Sequence, residues 1–340
     1  MRHCILHIGG HKTGSSALQQ LLMSARPRLE DCGILYPLRG FTTGTQRNLF
    51  YEMAGHKLFD PTQPTWAWLE ETVQASSCEI LILSSELFST LSRRSTMPRR
   101  IAKVLHGLGY SLQVVAYVRP QYELLNSIYA QRIRLLNSDK RFPEWAASEI
   151  SGQLYDYEAM VAPWDRDGDF AVTLLPYNLA AKEGGIIQDF VAATGLGPHL
   201  EGQDFLTQPF RRNLTPGPKT VEVFYRLAQG GGRRRYRKDL KALRSFVSEE
   251  AESWDWNREP FAAVSEAHRD RITKRFAKSN ERLASHYLPD SWARLFADDL
   301  ARPLQVNAFD PKTASAKDEA AVQRLVEETR ARFGAGGKTG

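Results

Sequence analysis

The sequence of 340 residues has few cysteines, no long apolar run and no residues spaced for a metal site. Its three cysteines, Cys4, Cys32 and Cys78, form no CxxC pair and no cysteine–histidine ligand spacing, which argues against a disulfide framework and a zinc module. No apolar run approaches the roughly 18 residues that a membrane helix needs, and the N-terminus lacks a small-residue cleavage site. We therefore expect a cytoplasmic protein with reduced thiols, no signal peptide and no membrane span.

The formal net charge of +6 is modest and favours an anionic ligand only weakly. The positive charge concentrates in residues 230–241, GGGRRRYRKDLK. This segment fits a solvated loop that leads into a basic helix, and equally a positive rim that guides an acidic acceptor. No helix-turn-helix, zinc-finger or RNA-binding signature accompanies the charge, so we expect no nucleic-acid partner.

Short apolar runs alternate with segments of helical periodicity along the first two hundred residues. The predicted strands cover residues 4–8, 33–37, 79–83, 112–118 and 170–175. The predicted helices cover residues 17–25 with an end at Pro27, 48–54, 66–76, 98–108, a segment from Pro120, and 185–194. This alternation predicts an α/β fold, a three-layer α/β/α sandwich with a mainly parallel sheet. From about residue 216 the chain is mostly helical, and we expect one domain over 1–303, followed by a helix and a flexible tail over 304–340.

The first strand is followed by G-G-H-K-T-G-S-S and an amphipathic helix, an arrangement in which backbone amides and the helix dipole hold a phosphate. Gly9 and Gly14 have the G-x4-G spacing of a Walker A loop, but Ser15 stands where that motif has lysine, and the lysine comes earlier, at Lys12. From there it can reach the oxygen that bridges a transferred group and the leaving phosphate. Neither EILIL nor LQVVAYV ends in an aspartate for Mg²⁺, so a metal-free transfer of a less charged group is expected.

Two segments together resemble a known family. HIGGHKTGSSALQQLL resembles the 5′-phosphosulfate loop of sulfotransferases that use 3′-phosphoadenosine 5′-phosphosulfate (PAPS), especially the bacterial carbohydrate-type branch. VVAYVRPQYELLNSIYAQ resembles the 3′-phosphate motif of that family, with Arg119 at a strand end and Ser127 two helical turns later. The resemblance is clear over about residues 1–135. It implies a P-loop fold, PAPS as the sulfonyl donor, 3′-phosphoadenosine 5′-phosphate (PAP) as the product, and no metal.

The resemblance assigns Lys12 to the leaving phosphate, whose charge it would neutralise. Arg119 would grip the 3′-phosphate with its planar fork of donors. The residues expected to bind the nucleotide are Lys12, Thr13, Gly14, Ser15, Ser16, Arg119, Ser127 and Arg212. Local alternatives stay open, because a pair of serines also caps helices, a strand-end arginine also pairs with carboxylates, and Ser127 fits a plain helix surface.

The proton acceptor is the least defined part of the predicted site. Transfer to a hydroxyl needs a base within hydrogen-bond reach of the acceptor. The family resemblance places a histidine or glutamate just past the strand that precedes the 3′-phosphate strand, and Glu86 stands there in LILSSELF. Glu86 also fits a helix-start acid after a serine cap. His11 is the second candidate, and His56 the third.

The acceptor itself is expected from analogy to be a hydroxyl of a carbohydrate or glycolipid, selected by the loops at 38–78 and 200–240. Four aromatic residues, Tyr36, Trp66, Trp68 and Tyr129, fit sugar-stacking platforms, but aromatics at such spacings are more often core residues. Two other functions remain open at this point: a P-loop kinase that uses Mg-ATP, and a non-catalytic nucleotide-binding protein.

Overall fold

The computed structural model describes residues 2–39, 44–91, 94–178, 185–207 and 216–334. The strands are β1 (Arg2–Gly9), β2 (Ile34–Leu35), β3 (Ile80–Ser84), β4 (Tyr110–Val118) and β5 (Ala171–Pro176). The helices of the described residues are α1 (Ser15–Ser24), α2 (Arg26–Asp31), α3 (Arg47–Ala54), α4 (Trp66–Ala75), α5 (Met97–Gly107), α6 (Gln121–Arg134), α7 (Phe142–Glu149), α8 (Tyr157–Asp165), α9 (Ile186–Ala193), α10 (Pro218–Ala228), α11 (Gly232–Arg235), α12 (Leu240–Ser253), α13 (Glu266–Tyr287), α14 (Trp292–Leu295), α15 (Ala297–Ala301) and α16 (Ala316–Phe333). The predicted fold class, an α/β three-layer sandwich with a helical C-terminal region, is confirmed.

The chain forms two compact units. The first contains Met1–Pro120, Gln153–Arg211 and Phe276–Leu300, and therefore the whole sheet. The second contains Gln121–Gly152, Arg212–Arg275 and Ala301–Gly340. The helix predicted within 304–340 is present as α16, whereas the tail from residue 335 lies outside the described residues. The domain boundary expected at residue 303 stays a prediction.

The five strands are all parallel and lie in the order β2-β3-β1-β4-β5. β3 is buried along its whole length, which is why it has the continuous apolar sequence ILIL rather than an alternating one. The chain leaves β1 toward β2 and β3 on one side, and it leaves β4 toward β5 on the other. The carboxyl ends of β1 and β4 therefore flank a topological switch point, the place where open parallel sheets bind their ligands.

The helices that flank the sheet are held by apolar side chains at helical spacing. Leu18 and Leu22 of α1 and Phe190 of α9 pack with Ile82 of β3 and Tyr117 of β4 in one buried cluster. Each large apolar side chain removed from water contributes about 1.5–3 kcal/mol. This packing fixes the start of α1, and with it the preceding loop, against the sheet.

The helix predicted over residues 17–25 is present as α1, which ends at Ser24, before Pro27. The helix α2 was not predicted, and Pro27 lies in its first turn. The first turn tolerates proline because its N–H groups have no partner inside the helix. The short helices α7 and α8 were not predicted. In the ranges that the structure describes, no helix combines the length and the apolar character needed to cross a bilayer.

Candidate functional site

The loop between β1 and α1 has an unusual backbone. Gly9, Gly10, Lys12 and Gly14 all have positive φ angles, of 84°, 139°, 60° and 80°. Glycine adopts such angles without strain, but for a lysine the left-handed region costs about 1–3 kcal/mol. Strain of this kind concentrates where a backbone is shaped for a ligand. Lys12 is therefore held in place by the surrounding structure rather than by its own preference.

Close packing makes two of the glycines necessary. A Cβ atom at Gly10 would collide with the carbonyl oxygen of Tyr117 in β4, and one at Gly14 would lie 2.7 Å from Cδ1 of Ile186. The loop is thus pressed against the carboxyl end of β4 and the start of α9. This close approach brings the loop backbone to the topological switch point.

The hydroxyl groups of the loop hold its backbone. Thr13 Oγ1 donates to the Gly10 carbonyl at 2.6 Å, and Ser15 Oγ donates to the same oxygen at 3.4 Å. Both side chains are buried, whereas Ser16 is exposed. Among the described residues no side chain caps α1, so the predicted alternative of a serine helix cap is wrong. The positive end of the α1 dipole favours an anion at this terminus.

Arg119, directly after β4, lies beside the loop. Its Nη1 donates to the Lys12 carbonyl oxygen at 3.1 Å. The Arg119 backbone is fixed by Tyr157, whose hydroxyl accepts from the Arg119 N–H at 3.3 Å and donates to its carbonyl at 2.9 Å. The guanidinium carbon is 5.2 Å from the ring centre of Tyr177, a cation–π distance. Lys12 and Arg119, the two cations that the sequence singles out, therefore lie close together after the carboxyl ends of β1 and β4. This region of the first unit is here called the rim.

Two further residues were predicted to bind the nucleotide. Ser127 is half-buried in α6, which belongs to the second unit, and Arg212 lies outside the described residues. Their part in binding a 3′-phosphate stays a prediction.

The first two candidates for the base form a pair. His11 Nδ1 lies 3.3 Å from Glu86 Oε2, and the two side chains are 34% and 33% exposed. Glu86 opens a 3₁₀ turn after β3, and the Ser85 hydroxyl caps that turn by accepting from Leu87 N–H. A Cβ at Gly9 would come within 2.9 Å of Glu86 Cγ, so glycine is needed for this close approach. Glu86 is thus both a helix-start acid, as the local alternative predicted, and the partner of His11.

The protonation of Glu86 is set by its neighbours. Burial alone would raise the pKa of Glu86, but the hydrogen bond and charge of His11, the hydroxyl of Ser15 and the charge of His7 together lower it below its ordinary value. Glu86 is therefore ionised at neutral pH, and its carboxylate can accept a hydrogen bond from His11 Nδ1. His56, the third candidate, has local partners: its ring stacks on Tyr51 at 4.9 Å, and its Nδ1 accepts from Leu58 N–H at 3.1 Å.

A buried polar network lies beneath this rim, and the sequence reasoning did not find it. The Ser84 hydroxyl at the end of β3 is 2.8 Å from His7 Nδ1, and it accepts from Gln19 Nε2 at 3.0 Å. The Ser84 N–H donates to Gln46 Oε1 at 2.7 Å. All four residues are buried. The available signal was a polar residue inside each apolar strand, the histidine of CILHI and the serine of LILS.

His7 is completely buried, and its ring meets Tyr117 and Phe190 edge-on. Burial lowers its pKa to about 4, although the charge of Glu86 acts to raise it. Within the described ranges its Nε2 has no hydrogen-bond partner. His7 is therefore neutral at pH 7, a structural neighbour of the rim.

Of the four candidate sugar platforms, three are core residues. Tyr36, Trp66 and Tyr129 are buried, and the Trp66 indole donates to the Leu49 carbonyl at 2.9 Å. The Tyr36 hydroxyl donates to a backbone carbonyl. The sugar-stacking option is wrong for these three, because their ring faces are covered by other side chains. Trp68 is partly exposed.

A cavity of about 330 Å³ lies among the loops predicted to select the acceptor. Thr45 Oγ1 connects its wall to β3 by donating to the Ser84 carbonyl at 3.0 Å. The residues that line the cavity are Leu38, Arg39, Gly44, Thr45, Gln46, Arg47, Asn48, Tyr51, Leu58, Asp60, Gln63 and Pro64. Its wall thus combines one aromatic ring with many hydrogen-bonding groups.

Comparisons with known proteins add no relative. The chain matches no protein-family model, and a search of curated proteins finds no match to it. The fold and the rim described above are thus the basis for inferring a function. In the part of the chain that the structure describes, no three His, Cys, Asp or Glu side chains are grouped to hold a metal ion.

Proposed function

We propose that this protein is a PAPS-dependent sulfotransferase that moves a sulfonyl group to an acceptor hydroxyl and releases PAP. One observation carries the proposal: the Arg119 guanidinium donates to the Lys12 carbonyl at 3.1 Å. The arginine expected at the 3′-phosphate and the loop expected at the 5′-phosphosulfate are therefore neighbours. A nucleotide with anionic groups on two carbons of one ribose needs two such sites side by side.

The uncapped start of α1 supports binding of the 5′ group. Its amides and dipole, with the positive-φ turn at Gly10–Gly14, form the kind of backbone arrangement that binds a tetrahedral anion. The guanidinium group of Arg119 has a planar fork of N–H donors that can bind the 3′-phosphate. A bidentate pair of this kind is among the strongest hydrogen-bonded contacts that a side chain makes with a phosphate. Because Ser15 replaces the usual Walker lysine, the loop is poorly suited to the β- and γ-phosphates of a triphosphate.

The reaction would be an in-line displacement at sulfur. The acceptor oxygen forms a bond to sulfur as the bond from sulfur to the bridging phosphate oxygen breaks, and that oxygen keeps the electron pair. Lys12 neutralises the charge that develops on this phosphate, an effect worth about 3–4 kcal/mol in comparable sites. Most of the remaining rate gain comes from holding the acceptor and donor in line.

The proton of the acceptor hydroxyl passes to the His11–Glu86 pair. The lowered pKa of Glu86 makes its carboxylate a weak base, and its contact with Nδ1 leaves Nε2 of His11 as the nitrogen that takes the proton. Glu86 then orients the imidazole and stabilises the imidazolium that forms. This assignment predicts that Glu86→Gln changes the pH–rate profile, whereas His11→Gln lowers the rate at every pH.

The acceptor class we propose is a saccharide, free or on a lipid. The cavity of about 330 Å³ is within the range of small-molecule sites, and Arg47 and Gln63 line it together with the Tyr51 ring. Arg47→Ala should raise KM for the acceptor and leave PAP affinity unchanged. A change in both would place Arg47 at the nucleotide instead.

Titration calorimetry with PAP and with Mg-ATP tests the nucleotide. We expect micromolar PAP binding that weakens about 100-fold in Arg119→Ala, because two charge-assisted hydrogen bonds are lost at roughly 1.5 kcal/mol or more each. The matched control is Arg99→Ala, which removes an exposed arginine paired with Asp167 in the same unit. Tighter binding of Mg-ATP than of PAP would favour the kinase alternative.

An acceptor screen with radiolabelled PAPS tests the chemistry. Transfer of label to a saccharide, abolished in Lys12→Ala, supports the proposed enzyme. If PAP binds well, yet no acceptor is labelled and Lys12→Ala and Glu86→Ala leave the cellular role unchanged, the protein is a non-catalytic nucleotide-binding protein.

A further inference from the structure

Two arginines of the second unit have no acidic partner among the residues that the structure describes. Arg134 is the last residue of α6, and Arg244 lies in the second turn of α12. The Nε–H group of each is buried and has no hydrogen-bond partner among the described residues. Burial, and then the charge of Arg244, lowers the pKa of Arg134. Buried donors without acceptors are rare in folded proteins and call for an explanation.

Two other arginines of the same unit are neutralised by carboxylates. Arg141 and Arg226 both pair with Glu222, which is buried, and Arg226 also pairs with Glu319 of α16. The fold thus supplies carboxylates to the basic side chains between α10 and α16. It supplies none to Arg134 and Arg244 within the described ranges. The difference indicates that the partner of this arginine pair is not part of the chain's described residues.

The arginine pair continues into the basic segment at residues 230–241. Its exposed basic residues are Arg233, Arg234, Arg235, Arg237, Lys238 and Lys241. None of them pairs with a carboxylate in the described part of the chain. Arg233 Nη1 donates to the carbonyl of Leu135, the residue after Arg134, at 3.3 Å. The basic segment is therefore attached to the end of α6.

A cavity of about 490 Å³ opens at this junction. Three arginines line it, Arg233, Arg234 and Arg237, with the hydroxyl-bearing Ser138 and one acid, Asp139. The wall is held by Gln229, whose Nε2 donates to the Asp139 carbonyl at 2.9 Å. Three cations against one acid leave the cavity positive, and an anion of small size fits its volume.

We propose that Arg134, Arg244 and the arginines of this cavity form a binding site, here called the arginine site, for a phosphate or sulfate ester group. A tetrahedral dianion matches the planar donor fork of arginine, accepts from several N–H groups at once, and neutralises two neighbouring cations. The group can be carried by a soluble ester or by the headgroup of a lipid, and both present the same oxygens. The proposal does not rest on the sulfotransferase function, because it uses other residues in another unit.

Thermal unfolding of the full-length protein tests the site with inorganic phosphate as the probe, titrated against sodium chloride at equal ionic strength. We expect a saturable rise in Tm whose midpoint shifts at least tenfold toward higher phosphate in Arg244→Gln and in Arg134→Gln. Arg324→Gln is the matched control, because Arg324 is exposed on α16 and paired with Glu328. Arg119→Gln tests whether phosphate acts instead at the loop between β1 and α1 in the first unit.

The outcomes are distinct. An unchanged midpoint in Arg244→Gln and Arg134→Gln, or an equal shift in Arg324→Gln, overturns the proposal. A midpoint that shifts only in Arg119→Gln assigns the phosphate effect to the first unit and overturns it too. Flotation with vesicles of phosphatidylcholine, alone or with phosphatidic acid, identifies the source. Binding that needs phosphatidic acid and weakens in Arg244→Gln indicates a lipid headgroup, and a phosphate effect without flotation indicates a soluble ester.

Discussion

The loop between β1 and α1 in the first unit and the proposed arginine site in the second unit present positive charge in two different ways. The loop uses backbone amides and a helix terminus, and its arginine is tied down, with Arg119 held by the Lys12 carbonyl and by Tyr157. The arginine site gathers guanidinium groups, and the buried Nε–H donors of Arg134 and Arg244 have no hydrogen-bond partner among the described residues. A strand–loop–helix can thus be preorganised without an anion, because backbone dipoles do not repel as full charges do. A cluster of arginines depends on its ligand for neutralisation.

The largest expected effect concerns the tight loop. Gly10→Ala should lower the free energy of unfolding by about 4 kcal/mol, because its Cβ meets the Tyr117 carbonyl and cannot move away from it. Gly33→Ala is the control, since its φ is also positive, at 75°, but nothing lies within 4 Å of its Cβ. There we expect a loss of only about 1 kcal/mol. Denaturant unfolding measures both, and equal losses would show that the loop is not pressed against β4.

Lys12→Ala should reduce the proposed sulfonyl transfer by about 10² to 10³ in kcat, because one preorganised cation at a developing charge contributes about 3–4 kcal/mol. PAP affinity should fall far less, since the amides of the loop remain. Lys103→Ala, at an exposed position on α5, is the control. A steady-state assay with PAPS checks the rate, and a loss confined to KM would assign Lys12 to ground-state binding only.

The burial of His7 should make the stability of the protein depend on pH. The pKa of His7 falls from 6.5 to about 4 on folding. Above pH 6.5 the residue is neutral in both the folded and the unfolded state, so it adds no pH dependence there. As the pH is lowered from 6.5 to 4, His7 of the unfolded chain binds a proton that the native His7 does not bind. The free energy of unfolding therefore falls by about 3 kcal/mol over this range. His7→Gln should remove this part of the slope, whereas His106→Gln, on the exposed side of α5, should not. Urea unfolding at a series of pH values measures it.

The smallest effects compare paired and unpaired charges within the second unit. Glu222→Ala should destabilise the protein by about 2 kcal/mol, because it leaves Arg141 and Arg226 without their shared buried carboxylate. Arg244→Gln in chloride buffer should change stability by at most about 0.5 kcal/mol, with a gain as the expected sign. Chemical denaturation of both variants checks this. A large loss in Arg244→Gln would mean that the arginine is a structural residue.

Much of the first unit was predictable because its signals are local. Buried parallel strands are continuous apolar runs, and the helices around them repeat apolar residues at 3.6-residue spacing, so β3, β4 and α5 were found within a few residues. The helix α2 was missed because Pro27 was interpreted only as a helix end, although proline is equally at home in the first turn of a helix. The polar segments α7 and α11 gave no comparable periodic signal.

Lys12, His11, Glu86 and Arg119 could be chosen singly from the sequence, since each stands at a fixed offset from a strand end or a glycine. Because β1 and β4 are parallel, their carboxyl ends bring the loop and Arg119 to one edge of the sheet. The sequence did not predict the contact between His11 and Glu86, which depends on the close approach at Gly9. Nor did it predict the polar network at Ser84, which joins side chains from three distant segments.

The sequence by itself determined the parallel α/β framework and the backbone shape of the phosphate loop, because apolar periodicity and glycine placement act over a few residues. Only the tertiary structure decided which charges have partners. Glu86 pairs with His11, and Arg226 pairs with Glu222 and Glu319. Arg134 and Arg244 pair with no carboxylate among the described residues. The physical reason is that an ion pair needs two side chains within a few ångströms, and packing of distant segments sets that distance.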